Sequence, residues 1–477
     1  MTFFNTEITW FLDVYILLIL GYAILIMSSY LLLAYISTKE LRKYLKRNSF
    51  VDYDVLLTSE FAPKLSLIAP AYNEGLTIEE NVKSLLSLNY NNYQVIVVND
   101  GSKDNSMEIL TKTYDLVLTD LDFHPQIETK KIRGIYTSRN AAFKKLIVVD
   151  KENGGKADAL NVGLNIAQNP YVVCIDVDCI LDKDSLLKLA KPFLESYGKR
   201  IIATGGVVRI ANQCVIKNGR LVEVNVPDVM LSRIQVLEYL RAFLLGRMAW
   251  GKLDGLLLIS GAFGAFDKEI AILSGGYSTK TVGEDMELIV RMRRYMLDNK
   301  LPYSVSYIPD PLCWTEAPED FKIFKKQRSR WMRGTIETLS IHRRMFLNPK
   351  YKLLGMLSVP YWTLFEFLAP GIEFIGLIIT AVFIIFGLLN WHFFFLLLFF
   401  VYSFAVLFSV IALYSEEKTY HKYPKQADFF KLLMAAFIEP FYFHPLTVYA
   451  ALVGYKEKIM GTKGWGEMTR KGFTKKE

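Results

Sequence analysis

A Rossmann-like α/β domain joined to an α-helical membrane region is the fold the sequence predicts, and three observations predict it. At 52% hydrophobic residues and a mean hydropathy of +0.22 the chain of 477 residues is too apolar for an ordinary soluble enzyme, yet 22% charged residues is too many for a purely membrane-embedded one. Between residues 63 and 301, short β-branched runs alternate with stretches of helical periodicity. Long apolar segments lie on either side of that region. The net charge of +8 suits nucleic acid, anionic lipid or a phosphorylated substrate. Because the basic residues border apolar segments and are not spread along a groove, nucleic acid is excluded. Cys174, Cys179, Cys214 and Cys313 have neither metal-ligand spacing nor a disulfide ladder, as buried thiols in a reducing compartment would.

The first apolar run, residues 14–36, is long enough at about 1.5 Å rise per residue to cross a hydrocarbon core of roughly 30 Å. Lys39, Arg42, Lys43, Lys46 and Arg47 follow it, and no small-residue cleavage site does, so it reads as a retained span with its C-terminal side in the cytoplasm. Next come KLSLIAPAY, QVIVVND, KLIVVD and YVVCIDVD, apolar throughout as strands buried on both faces of a parallel sheet should be. Between the first two, Ile78, Val82, Leu85 and Leu86 recur at helical spacing behind an expected Thr77 to Glu80 capping box. Ligands of such a sheet bind at the carboxyl ends of its strands.

Those ends carry AYNE, VNDGSKD, DKENGGK and DVD. Asp176 and Asp178, one residue apart, offer two hard oxygen anions to Mg²⁺ or Mn²⁺ and to the phosphate oxygens such ions bind. Asn73, Glu74 and Asp100 also follow strands, where turn chemistry is the alternative to a nucleotide pocket. Lys156 opens a helix after Gly-Gly, so its amine and free backbone N–H groups could meet phosphate together, or it is an exposed lysine at a helix start. Glu284 and Asp285 fall in the first turn of another helix, as caps or as candidate catalytic carboxylates that take a proton from a sugar hydroxyl. In QRSRW, helical spacing places Gln327, Arg330 and Trp331 on one face. There Arg330 could fork onto a diphosphate, Gln327 could add a neutral donor and Trp331 could offer a flat platform to a sugar ring. Lys325, Lys326, Arg328, Arg333, Arg343 and Arg344 read instead as contacts to anionic lipid headgroups. The stretch LLLISGAFGAF, with Phe263, either flanks a glycan or is a tightly packed strand, and Arg241 and Arg247 lie on an apolar segment ahead of it that reads as an interfacial helix.

In that order, NDGS, DVD, GED and QRSRW, followed by membrane segments, resemble the signature set of processive family 2 glycosyltransferases, the group of cellulose, chitin, hyaluronan and poly-N-acetylglucosamine synthases. The resemblance implies a GT-A domain, a UDP-sugar donor, a divalent cation and inversion at the anomeric carbon. It gives Asp100 and Asp176 to the nucleotide and diphosphate, Asp178 to the metal, Asp285 to the general base and the segment around Phe263 to the acceptor side. GGKADALN and CWTEAPED are similar to the poly-N-acetylglucosamine synthase-like branch, which makes UDP-N-acetylglucosamine the expected donor. GED departs from the TED of cellulose synthases and the GDD of hyaluronan synthases.

The expected organisation is a membrane helix over 1–38, a juxtamembrane linker over 39–62, a cytosolic catalytic domain over 63–320, QxxRW and interfacial helices over 321–352, a membrane bundle over 353–455 and a basic cytosolic tail over 456–477. Candidate spans near 353–369, 371–389, 391–414 and 428–455 give five crossings in all and return the tail, with Lys456, Lys458, Lys463, Arg470, Lys471, Lys475 and Lys476, to the cytoplasm. A multi-pass protein of a bacterial inner membrane is expected, extending and exporting a polysaccharide, with lipid, the growing glycan and an accessory export or regulatory subunit as partners. The alternatives are transfer of a single sugar to a lipid carrier and a non-catalytic scaffold.

Overall fold

The computed structural model describes residues 2–195, 198–217 and 219–462, with side chains described from residue 14 onward. Lys463, Arg470, Lys471, Lys475 and Lys476 of the expected tail lie outside the described residues.

The four apolar runs are strands, Leu65–Ala71, Tyr93–Asn99, Leu146–Lys151 and Tyr171–Ile175. They pair in parallel around Leu65–Ala71, which lies between Tyr93–Asn99 and Tyr171–Ile175. Almost every side chain in them is buried, and each Val or Ile so buried contributes about 1.5–3 kcal/mol. The sheet is wider and more mixed than a parallel core. Its ten strands run Leu116–Leu118, Ile132–Ser138, Leu146–Lys151, Tyr93–Asn99, Leu65–Ala71, Tyr171–Ile175, Phe263–Asp267, Arg200–Ile210, Tyr303–Thr315 and Ile180–Leu181. Strand Phe263–Asp267 is antiparallel to both of its neighbours, so the sheet changes direction beside the strand that delivers Asp176.

Helix Ile78–Leu86 buries Ile78, Val82 and Leu85 as its periodicity predicts, but the capping box does not form. Thr77 makes no side-chain cap; its hydroxyl donates instead to Glu74 Oε2 (3.1 Å). Helix Lys156–Ile166 lies so close to the sheet that a Cβ on Gly163 would collide with Ile68.

The N-terminal helix runs without a break from Thr2 to Asn48. By length and apolarity, two helices among the described residues suffice to cross a membrane, Val14–Asn48 and Trp391–Thr419, or three if a pair bent by 41°, Leu354–Phe367 and Ala369–Ile385, is one span. That is fewer than the five expected crossings. The first member of the bent pair is too short to cross alone, and helix Gln426–Ile459 carries Asp428, Lys431, Glu439 and His444 with Pro440 and Pro445 in its interior. Leu396 and Phe399 are exposed on Trp391–Thr419, an apolar surface that suits lipid rather than water.

Buried ion pairs fasten the sheet domain to these helices. Arg209, in strand Arg200–Ile210, pairs with Glu416 of Trp391–Thr419. Arg241 forks onto Glu439 of Gln426–Ile459, with Nη1 to Oε2 at 2.6 Å, and also reaches Ser409. Arg241 is therefore committed to protein and not to headgroups.

Candidate active site

Asp100 follows the second strand and is buried. Its Oδ1 accepts from the Lys151 ammonium and from Gly154 N–H (2.9 Å), its Oδ2 accepts from Gly155 N–H (2.8 Å), and its carbonyl accepts from the Asn153 side chain (2.7 Å). Lys151, itself fully buried, also meets Asp158 at 2.6 Å. Although Asp100 lines the cavity described below, both of its carboxylate oxygens are engaged in shaping the Asn-Gly-Gly turn that delivers Lys156. Gly155 has φ +86°, a conformation that favours glycine, and it caps the helix that Lys156 opens. Asn73 takes a left-handed backbone too, and its side-chain oxygen accepts from Lys103 N–H (2.8 Å), tying the first two strand ends together.

Strand Tyr171–Ile175 ends at Asp176, and the chain turns so that donor atoms of Asp176, Asp178 and Cys179 lie within 4.8 Å of one another. Hydrogen bonding to Cys313 and burial raise the Cys179 thiol well above its ordinary range, so it stays protonated and is a poor partner for a hard cation. The two carboxylates, one buried and one half-buried, are the set that fits Mg²⁺ or Mn²⁺. A cationic group already stands beside them: Lys156 Nζ forms an ion pair with Asp176 and lies 3.6 Å from Glu284 Oε1. Burial alone would lower the Lys156 pKa, but Asp176 and Glu284 outweigh it and hold the ammonium above its ordinary value.

Glu284 and Asp285 open helix Glu284–Asp298 behind Gly283. Their surroundings separate them. Glu284 is only 3% exposed, and burial, with Lys156 opposing and Asp285 reinforcing, pushes its pKa up to about 7. Asp285 is half-buried and held from two sides, Oδ2 by Gly261 N–H (2.9 Å) and Oδ1 by Met286 N–H (2.8 Å). A Cβ on Gly261 would stand 3.2 Å from both Asp285 Oδ2 and Lys156 Nζ, so only a glycine passes comfortably between base and amine.

The QRSRW segment lies within helix Phe321–Ile341, capped by Asp320, whose side chain accepts from Lys322 N–H (2.8 Å). Gln327, Arg330 and Trp331 line the same cavity as Asp100, Lys156, Asp176, Asp178, Glu284 and Asp285. Arg330 sits near enough to Glu284, Asp176 and Asp285 to feel their charge, while burial lowers its pKa. Gln327 Oε1 is buried with no hydrogen-bond partner among the described residues, and Trp331, 40% exposed, contributes to the cavity wall.

Two expected lipid contacts are something else. Arg328, 7% exposed, forks onto Glu238 with both bonds at 2.6 Å and stacks over the Trp331 ring at 4.3 Å. Arg333 is buried against Glu457 (3.2 Å) and the Thr462 carbonyl (3.1 Å). A helix wedged between the sheet domain and helix Gln426–Ile459 has no face toward headgroups at these positions; Arg343 and Arg344, beyond its end, are exposed. Phe263 is also corrected. It is fully buried in its strand, against Gly206 of the neighbouring one, and it does not face the cavity, which the preceding Ser260, Gly261 and Ala262 do. Alternation along the strand sends the Phe263 ring into the core. Sequence reading missed Gly261 as the donor to Asp285 and Glu238 as the partner of Arg328; GxF and a second arginine, three positions before the motif tryptophan, were the available signals.

The cavity, about 3360 Å³, continues past these residues to Tyr22, Glu366, Glu373, Phe394, Tyr402 and His444 on the apolar helices. One space thus touches both the carboxylates of the sheet edge and the interior of the helical region.

Two family models match the chain, one described as glycosyl transferase family 2 over residues 66–213 and one described as glycosyl transferase family group 2 over residues 171–410. Among curated relatives, a poly-beta-1,6-N-acetyl-D-glucosamine synthase of Staphylococcus epidermidis is 30% identical over 276 residues, 58% of this chain and 55% of the relative. One of Staphylococcus aureus is 28% identical over 307 residues, 63% of this chain and 60% of the relative. The matches thus span little more than half the length of these relatives. Among solved structures, a mannosyltransferase from Pyrobaculum calidifontis in complex with GDP-Man and Mn²⁺ superposes with a TM-score of 0.51 at 16% identity, covering 93% of this chain and 99% of that one, and so shares the GT-A-like mixed sheet. With the second family model covering residues 171–410, about half of its length and the segment from Asp176 through Trp331 included, the chain belongs to glycosyl transferase family group 2.

Proposed function

We propose that the chain is an inverting, membrane-embedded glycosyltransferase that extends a β-linked glycan from a nucleoside-diphosphate sugar and leads the product into the membrane part of its cavity. The observation that carries this reading is the single cavity bounded at one end by Asp176, Asp178, Asp285, Arg330 and Trp331 and at the other by the apolar helices. The relatives' names support a β-1,6-linked N-acetylglucosamine polymer as the product, and the corresponding donor is UDP-N-acetylglucosamine in this reading.

In this reading the acceptor hydroxyl approaches Asp285, whose carboxylate is aimed by the Gly261 and Met286 amides and takes the hydroxyl proton. The acceptor oxygen bonds to the anomeric carbon as that carbon's bond to the diphosphate breaks, inverting the centre. Arg330 and Lys156 offer positive charge to the departing diphosphate, which develops charge in the transition state. A divalent ion held by Asp178 and Asp176 supplies further neutralisation of the same group when bound. Trp331, fixed from behind by Arg328, gives the acceptor ring a flat apolar surface.

The test incubates the purified full chain with Mg²⁺ or Mn²⁺ and each common UDP-sugar in turn, and follows UDP release and product length. Release from UDP-N-acetylglucosamine with long products at low conversion is expected. Single-sugar lipid products would replace elongation by one-step transfer, and no release with any donor would remove the catalytic reading.

A further inference from the structure

Two π-helical turns, Arg241–Arg247 and Thr363–Phe367, contribute to the cavity wall where it passes from the carboxylate cluster toward the membrane. Such turns bulge a helix outward and are frequent at functional sites. The first brings Arg241 and Arg247 to the cavity and the second brings Glu366.

The protein does not use up Arg247 or Glu366. On the first turn Arg241 is committed to Glu439 and Ser409, whereas Arg247 stacks on Phe243 at 3.9 Å and leaves Nη1 buried without a hydrogen-bond partner among the described residues. Glu366 is exposed to the cavity, and among the described residues it makes no hydrogen bond or ion pair. A buried, unmet N–H group costs about 1–3 kcal/mol, a cost that a ligand hydroxyl can relieve. Arg247 and Glu366 line the same cavity as Asp285, and Arg247 is near enough to feel the charge of both carboxylates.

We propose that Arg247 and Glu366 form a second acceptor subsite, one sugar removed from the reacting residue, that holds a neutral, hydroxyl-rich glycan unit. The inference rests on the glycosyltransferase reading above. The guanidinium donates to sugar oxygens and the carboxylate accepts from sugar hydroxyls, so one unit satisfies both. An anionic sugar gains from Arg247 what it loses to Glu366, and a cationic one does the reverse. Opposite charges in the wall of one passage therefore favour neutral polyhydroxylated chains and disfavour charged ones.

The experiment measures KM for acceptor oligosaccharides of one to four sugars with the wild-type full chain, Arg247→Gln and Glu366→Gln. Mn²⁺-dependent UDP binding serves as the folding control. For the wild type, KM falls between one sugar and two. In each variant that gain is expected to shrink by roughly tenfold, the factor that accompanies loss of one hydrogen bond to a charged group. Among the described residues Glu366 has no hydrogen-bond partner, so Glu366→Gln keeps the test decisive should Arg247→Gln fail to bind UDP. A length profile in Glu366→Gln that matches the wild type, while Asp285→Asn abolishes transfer, overturns the subsite and leaves the catalytic reading standing. Absence of transfer by the wild type with any acceptor overturns both.

Discussion

Gly283 and Gly334 lie backbone against backbone: a Cβ on either would stand 2.7 Å from the other's Cα. Gly283 precedes Glu284 and Asp285, and Gly334 follows Arg330 and Trp331 by less than one and a half helical turns. This contact, with Glu337 accepting from the Thr281 hydroxyl (2.8 Å) and Val282 N–H (3.0 Å) beside it, sets the spacing between proton acceptor and clamp. Alanine at 334 gains about 1 kcal/mol of helix propensity, but overpacking costs about 1–3 kcal/mol and no side chain can rotate away. Gly334→Ala is thus expected to lower thermal stability modestly and turnover at least tenfold. Wild-type turnover in this variant would show that the helix spacing does not matter.

Asp285→Asn keeps the shape of the side chain and removes its capacity to take a proton. Turnover measured by UDP release is expected to fall by about 10²–10⁴, with UDP affinity near that of wild type. A loss below about tenfold would assign the proton to another group.

Arg328 is the hidden support of Trp331. Arg328→Ala leaves Glu238 partly buried and unpaired and strips one face of the indole, so the fold should lose about 3 kcal/mol, near the lower end for a broken buried pair. Arg328→Lys keeps the charge but neither the fork nor the stacking. Its expected signature is a higher acceptor KM at an unaltered donor KM, read from initial rates at varied acceptor.

Glu284 makes stability depend on pH. Its folded pKa, about 7, lies above the ordinary 4.5, so the folded state favours the protonated form. The associated stabilisation is complete below about pH 4.5 and is lost as pH rises through about 7. Thermal unfolding in detergent should show the wild type losing stability over that window relative to Glu284→Gln. Parallel curves for the two proteins would contradict the raised pKa.

Much of the sheet core was legible because strands buried on both faces must be almost wholly apolar, and Tyr171–Ile175 and, apart from Ser66, Leu65–Ala71 are. The strand ends were legible for a related reason, since acidic groups directly after such strands have one sheet edge to occupy. Phe263 was misplaced because a short strand flanked by glycines does not announce which face its aromatic takes. Arg328 and Arg333 were misread because charge on a helix beside a membrane suggests headgroups, and nothing local reveals Glu238, more than twenty turns of helix away in sequence, or Glu457. The antiparallel strand Phe263–Asp267 was hidden for the same reason, its direction being set by distant pairing. The count of crossings suffered from proline and buried charge, which let Gln426–Ile459 remain one helix of mixed character.

Mn²⁺-dependent UDP binding, titrated calorimetrically on the purified chain and on Asp178→Asn and Arg330→Ala, tests the central claim that sheet-edge carboxylates and the Arg330 helix close on one diphosphate. The account predicts that binding requires the ion and weakens at least tenfold in each variant. UDP binding that needs no ion and is equal in all three proteins would contradict it.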